Sequence, residues 1–206
     1  ITSFRMPSNL QYIAPETFRN CEQLKTFYIG KAFRGKINYG EEGDPDTLFL
    51  YYAPIRLIQI DKENTSYQLQ NEILYTRDGH ILCQALKNDN ADSQLTIPSC
   101  VTEIADGAFY RNSEFGAIEV KGSLERIGIS AFACADVGSF YVKGGVNYLD
   151  RGSFYQSAIS EWRCHGGVKK YEKSAFQDVD ATNGYAIDMN LSLIHISEPT
   201  RHAQIS

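Results

Sequence analysis

The sequence is poor in the features that mark catalytic, metal-binding or membrane-embedded chains. Its five cysteines, Cys21, Cys83, Cys100, Cys134 and Cys164, form no Cys-x-x-Cys pair and are odd in number. That argues against a zinc site and leaves any disulfide pairing open. Cys164 falls on an inward strand slot, and Cys21 and Cys134 follow core phenylalanines, so small buried hydrophobes are expected. Of the four histidines only His80 and His165 precede residue 191. His165 directly follows Cys164, and adjacent strand residues point to opposite faces, so the two do not converge as nucleophile and base. His80 sits beside a turn and reads as a solvated residue. Gly144-Gly145 and Gly166-Gly167 lack the Lys-Ser/Thr ending of a phosphate loop and read as corner glycines. The acidic cluster from Glu41 to Asp46 lacks the alternating ligands and closing glutamate of a calcium loop. No apolar run is long enough to span a bilayer. A net charge of −5 and a pI near 5.4 argue against a nucleic-acid groove. The expectation is therefore no enzyme, no cofactor, no metal and no nucleic-acid partner.

What the sequence has is a repeat. Phe109, Phe132, Phe154 and Phe176 recur 23, 22 and 22 residues apart. Five residues before each stand Ile104, Ile127, Leu149 and Tyr171; eight before, Val101, Leu124, Val146 and Val168. Twelve before come Ile97, Val120, Val142 and Cys164; fourteen before, Leu95, Ile118, Phe140 and Trp162. The same offsets from Phe18 reach Ile13, Leu10, Met6 and Phe4. A unit this short cannot bury its own apolar face and must stack on copies of itself. The two slots separated by one residue carry the period-two signature of a strand with one buried face. Gly, Ser and Asp between the later slots suit a tight arc, with a helical turn expected around Ala-Phe. Successive strands then lie parallel, in a right-handed solenoid with a sheet on one face and helical turns and loops on the other.

Between Phe18 and Phe109 the period is stretched by insertions at about 36–54 and 61–93. In the second, Glu72–Tyr75 and His80–Cys83 flank Thr76-Arg77-Asp78-Gly79, the signature of a β-hairpin over about 72–84. It is expected to project from the solenoid edge. Asn64-Thr65-Ser66 matches a glycosylation sequon, relevant only in a eukaryotic host.

The wording Ile97-Pro98-Ser99-Cys100-Val101-Thr102-Glu103-Ile104-Ala105-Asp106-Gly107-Ala108-Phe109, with Ala131-Phe132-Ala133-Cys134 and Thr17-Phe18-Arg19-Asn20-Cys21, resembles the BspA-type leucine-rich repeat. Asp61-Lys62-Glu63-Asn64 followed by Leu74–Gly79 is similar to the hairpin that interrupts such repeats. The cysteine after the phenylalanine is replaced by Asn112, Ser157 and Val179. The resemblance covers about residues 4–190 and implies an α/β leucine-rich-repeat solenoid. It also implies a cell-surface or secreted location, adhesin-like binding and no catalysis.

The candidate functional surface is the outward strand position, one per repeat: Arg5, Tyr28, Gln59, Thr96, Glu119, Tyr141 and Arg163, with Lys121, Lys143 and His165 two residues further along. Parallel stacking would line these up about 4.8 Å apart. Tyr28, Gln59, Glu119, Tyr141, Lys143 and Arg163 are the expected contacts to a protein or glycan partner, Tyr and Arg being enriched at binding hot spots. The competing readings are a structural stalk, or a scaffold for a catalytic domain elsewhere in a longer protein. The segment from Leu191 to Arg201 reads as a translated sequencing-library adapter, with His202-Ala203-Gln204 as a sample index, so residues 191–206 are expected to lie outside a single domain of 1–190. Ile1 falls within a repeat, and both ends are expected to be fragment ends.

Overall fold

The phenylalanines that set the period also set the architecture. The rings of Phe109, Phe132, Phe154 and Phe176 stack one per coil, at centroid distances of 4.6, 5.0 and 5.2 Å and nearly parallel planes. That spacing matches the distance between neighbouring strands, so each coil places its ring directly on the next. The computed structural model describes residues 1–40, 47–50, 53–86, 93–112, 115–179 and 187–188. The acidic cluster at 41–46 and the segment 191–206 lie outside these residues.

In chain order the strands are β1 (Ser3–Arg5), β2 (Thr26–Ile29), β3 (Lys36–Ile37), β4 (Thr47–Leu48), β5 (Leu57–Ile60), β6 (Tyr67–Gln70), β7 (Ile73–Thr76), β8 (Ile81–Ala85), β9 (Ser93–Ile97), β10 (Glu103–Ile104), β11 (Phe115–Val120), β12 (Leu124–Ile127), β13 (Asp136–Val142), β14 (Val146–Leu149), β15 (Ala158–Cys164), β16 (Val168–Tyr171) and β17 (Ile187–Asp188). β1-β2-β5 and β9-β11-β13-β15-β17 are parallel sheets built from the expected strand slots. Each later repeat also contributes a second strand, covering the slots eight to five residues before its phenylalanine. β10, β12, β14 and β16 pair in parallel and turn the expected arc into a second sheet wall.

No helix forms among the described residues, so the helical turns expected around Ala-Phe are replaced by chained tight turns. The reason lies in how the arc spends its backbone donors. Ala131, Ala133 and Ala135 N–H bond back three residues, to Gly128, Ser130 and Phe132 O. The intervening Phe132 and Cys134 N–H bond across to Ser153 and Tyr155 O of the next coil. Phe109, Arg111, Phe154 and Gln156 donate across in the same way. With alternate donors committed between coils, the continuous ladder of an α-helix has no donors to run on. The alternation requires a left-handed residue two positions after each ring: Asn20, Arg111, Cys134, Gln156 and Asp178 all have φ between 50° and 63°. Asparagine and aspartate tolerate that conformation best among non-glycine residues.

The insertion is built into the fold rather than hung from it. β7 pairs antiparallel with β6 and β8, and β8 pairs parallel with β10, so β6-β7-β8 extends the seven-stranded sheet. The expected projecting hairpin is thus the inner part of a three-stranded meander, and all four residues of β7 are buried. The physical cause is its two apolar faces. Leu74 and Cys83 pack with Phe18, Phe27 and Phe33 in one core, while Ile73, Tyr75 and Leu82 pack with Phe109 and Phe132 in the other. Asn38 ties the first insertion to this wall. It is fully buried, donates through Nδ2 to Cys83 O (2.9 Å) and Gln84 Oε1 (2.7 Å), and accepts from Leu50 N–H (2.7 Å) and, at its carbonyl, Asp106 N–H (2.7 Å).

All five cysteines are free thiols. Cys164 is buried as expected and Cys83 is buried too, whereas Cys21 and Cys134, expected to be buried, are only half-buried, and Cys100 is exposed because it lies in the turn that follows β9. The slot before the ring holds Ala108, Ala131 and Ala175 in three coils but Ser153 in the fourth, where its buried hydroxyl has no hydrogen-bond partner. Ser153→Ala is therefore expected to stabilise the chain by about 1–3 kcal/mol, the penalty of an unsatisfied buried polar group. Urea unfolding checks this, and an unchanged or lower midpoint would refute it.

Candidate functional site

The outward ladder exists in two separate pieces. In the five-stranded sheet, Thr96, Glu119, Tyr141, Arg163 and Asp188 occupy one register line. The strand ends continue the pattern, with Lys121, Lys143 and His165 N–H donating to Ile97, Val120 and Val142 O. In the three-stranded sheet, Arg5, Tyr28 and Gln59 share a line. Gln59 and Thr96 belong to different sheets, with β6-β7-β8 between them in sequence, so Tyr28 and Gln59 are not brought together with Glu119, Tyr141, Lys143 and Arg163.

Each piece has internal contacts. Glu119 receives Lys121 Nζ at 2.5 Å and Lys143 Nζ at 3.4 Å, and these lysines, Lys121 first, hold its carboxyl below the usual range. Arg163 pairs with Glu161, and Tyr141 meets the His165 ring edge-on at 5.2 Å. At the other piece the Arg5 guanidinium lies 3.8 Å from the Tyr28 ring centroid, and Tyr28 Oη donates to Asp61 at 2.8 Å. That bond raises the Tyr28 phenol. The Asp61 carboxyl is lowered by the Glu63 N–H first and Tyr28 second.

Two other sequence motifs turn out to be structural. Asn64 is buried, donates to Gly30 O at 2.8 Å and accepts from Ser66 and Tyr67 N–H, so its amide is not presented for glycosylation. His80 is exposed at the hairpin turn, 3.8 Å from the Asp78 carboxylate that also receives the Thr76 hydroxyl.

The second sheet carries a ladder that sequence reasoning missed. Glu103, Arg126, Tyr148 and Lys170 align across β10, β12, β14 and β16. All four stand six residues before their phenylalanine, a polar slot between apolar ones, and reading that offset down the repeats would have found them. Arg126 binds three carboxylates: Glu103 at 2.9 Å, Asp106 at 2.5 Å and Asp150 at 3.0 Å. Burial pushes the Glu103 and Asp106 carboxyls up against the pull of Arg126. Burial opposes the Arg126 charge, yet the three acids together raise its guanidinium above the ordinary value. Tyr148 Oη donates to Glu172 at 2.7 Å, which with burial pushes the phenol up to about 12. Gly128 lets the coils approach here, since a Cβ would stand 2.7 Å from Asp106 N. Glu103, Asp106, Arg126, Tyr148, Asp150 and Glu172, with Lys36, Tyr39, Gly40, Ile129 and Arg151, line a groove of about 740 Å³.

The BspA type leucine-rich repeat region matches residues 1–39 and 79–183, in six copies. The chain belongs to this BspA-type family. The stretch between the two matched blocks holds β4 to β7, which are the end of the first insertion, the parallel strand β5 and the start of the wall. Among solved structures the chain is similar to the pneumococcal vaccine antigen PcpA, with a TM-score of 0.57 and 16% identity over 88% of this chain and 58% of that one. It thus spans less than two thirds of that chain, and at this identity the likeness is one of fold. A leucine-rich repeat protein from Eubacterium ventriosum aligns with a TM-score of 0.31 and 11% identity over 98% of this chain and 86% of that one, too loosely to add to the fold. No curated protein sequence matches the chain. Among the described residues no helix is long and apolar enough to cross a membrane, and no His/Cys/Asp/Glu group is placed to hold a metal ion.

Proposed function

We propose that this BspA-type chain is a non-enzymatic binding module of a cell-surface or secreted protein, recognising a protein or glycan partner through the strand face of its five-stranded sheet. The observation that carries this reading is the register line Glu119–Tyr141–Arg163, with Lys143 beside it, on three directly paired strands. Such a line offers an aromatic ring and a guanidinium at a fixed spacing, on elements held rigid by the core. The family supports the location, and the repeat fold supports the absence of catalysis.

The double variant Tyr141→Ala/Arg163→Ala tests it. Labelled chain is titrated onto epithelial cells and onto a panel of immobilised matrix proteins and glycans. The double variant is expected to lose roughly tenfold or more in affinity, as a hot-spot pair would, with an unchanged melting temperature. Equal affinity of parent and variant would remove the strand face as the site. A second reading, a stalk that spaces another domain, is favoured by the pairing of Glu119 with both lysines and of Arg163 with Glu161, which leaves these charges already compensated. Failure of the parent chain to bind any surface would favour the stalk.

A further inference from the structure

The groove on the second sheet has no part in the strand-face reading, and its chemistry selects a ligand class. Its volume falls within the range of pockets that hold small organic ligands. Its lining crosses successive coils, from Glu103 through Arg126 and Tyr148 to Glu172, each step adding about 4.8 Å, so it is longer than a single sugar ring. Ile129 is the one aliphatic side chain among the described lining residues, which argues against a lipid or other apolar occupant. Among the described lining residues four carboxylates stand against Lys36, Arg126 and Arg151, a balance near neutrality that neither recruits a polyanion nor attracts a polycation. A metal ion is excluded by orientation, since Glu103, Asp106 and Asp150 turn oxygens onto the Arg126 guanidinium.

What remains is a set of planar polar groups fixed before any ligand arrives. Asp106 is held by Ile129 N–H at 2.8 Å as well as by Arg126, Asp150 by Arg151 N–H at 2.7 Å, and Glu172 by the Tyr148 hydroxyl. Carboxylates and guanidinium held in this way bind neighbouring hydroxyls without further ordering cost. The Tyr148 ring, with Lys170 Nζ 5.0 Å from its centroid, adds an aromatic surface in the same line.

We infer that this groove is a binding site for a neutral, linear oligosaccharide, a ligand that itself repeats along the direction of the coils. The site is separate from the strand face and does not depend on it. The test is an array of neutral, sialylated and sulfated glycans probed with the purified chain, followed by titration of the best neutral oligosaccharide into the parent, Tyr148→Ala, Tyr148→Phe and Tyr141→Ala/Arg163→Ala. Capture of neutral glycans is expected. Tyr148→Ala should weaken binding about tenfold, Tyr148→Phe, which keeps the ring but releases Glu172, should weaken it by a smaller factor, and the strand-face double variant should bind like the parent. Tyr148 lies on the outer ladder, and matching melting temperatures show that Tyr148→Ala remains folded. Capture of no neutral glycan, preference for sulfated or sialylated glycans, or full binding by Tyr148→Ala would each overturn the inference. Loss in the double variant alone would overturn it too, and would assign the glycan to the strand face.

Discussion

Replacing Phe132 with alanine is expected to destabilise the chain by about 3–5 kcal/mol, the cost of removing a buried aromatic ring and leaving its cavity. Phe132 is fully buried between Phe109 at 4.6 Å and Phe154 at 5.0 Å, with Phe140 edge-on at 5.0 Å. Removal breaks the stack in its middle, so neither neighbour can close the gap without shifting a whole coil. Against a typical total stability of about 5–15 kcal/mol, this is a large fraction. Trp162 is the only tryptophan and packs on Phe140 at 4.9 Å, so its fluorescence reports this core directly. A urea midpoint unchanged from the parent would mean that the ring column carries no stability.

Arg126→Ala is expected to cost about 2 kcal/mol at neutral pH, between the value of an exposed ion pair and that of a buried one because the site is only partly buried. The loss arises from what stays behind. Glu103, Asp106 and Asp150 would face one another without the guanidinium, in a site where burial already raises the first two carboxyls. The sign of the pH dependence follows. A carboxyl with a folded pKa above its unfolded value binds more protons in the folded state, so its ionisation lowers stability as pH rises through that window. Removing Arg126 raises the folded values further. The deficit of the variant should be greatest at neutral pH and shrink as the medium is acidified through the carboxylate range. Melting curves of parent and variant from pH 7 to pH 4 check this. A deficit that stays constant or grows toward acid would show that Arg126 acts by packing alone.

The repeat made the inner side of this protein legible and left the outer side partly hidden. Apolar slots recur because stacking coils must each bury the same face, so Ile118, Val120, Ile127 and Phe132 declare their burial by offset alone. Glu103, Arg126 and Tyr148 obey the same period, and their offset marks a polar slot, but a slot with no fixed residue type does not declare which contacts it makes. The turn around Ala-Phe is ambiguous in the sequence because a local pattern suits either a helical turn or a chain of tight turns. Only the carbonyls of the next coil, at Ala131, Ser153 and Ala175, select the latter.

Periodicity alone determined the strand slots, the parallel stacking and the ring column, since each follows from a contact repeated at one fixed separation. The tertiary structure decided the rest. It turned the expected projecting hairpin into a wall, because Ile73 and Leu74 each had a different core to enter. It divided the outward stripe between Gln59 and Thr96, and it gathered Lys36 and Tyr39 beside Arg126 and Tyr148 to form the groove. Such contacts join residues at unrelated separations, as Asn38 joins Cys83 and Gln84. No repeat can encode them, because they are satisfied once, by folding, and not once per coil.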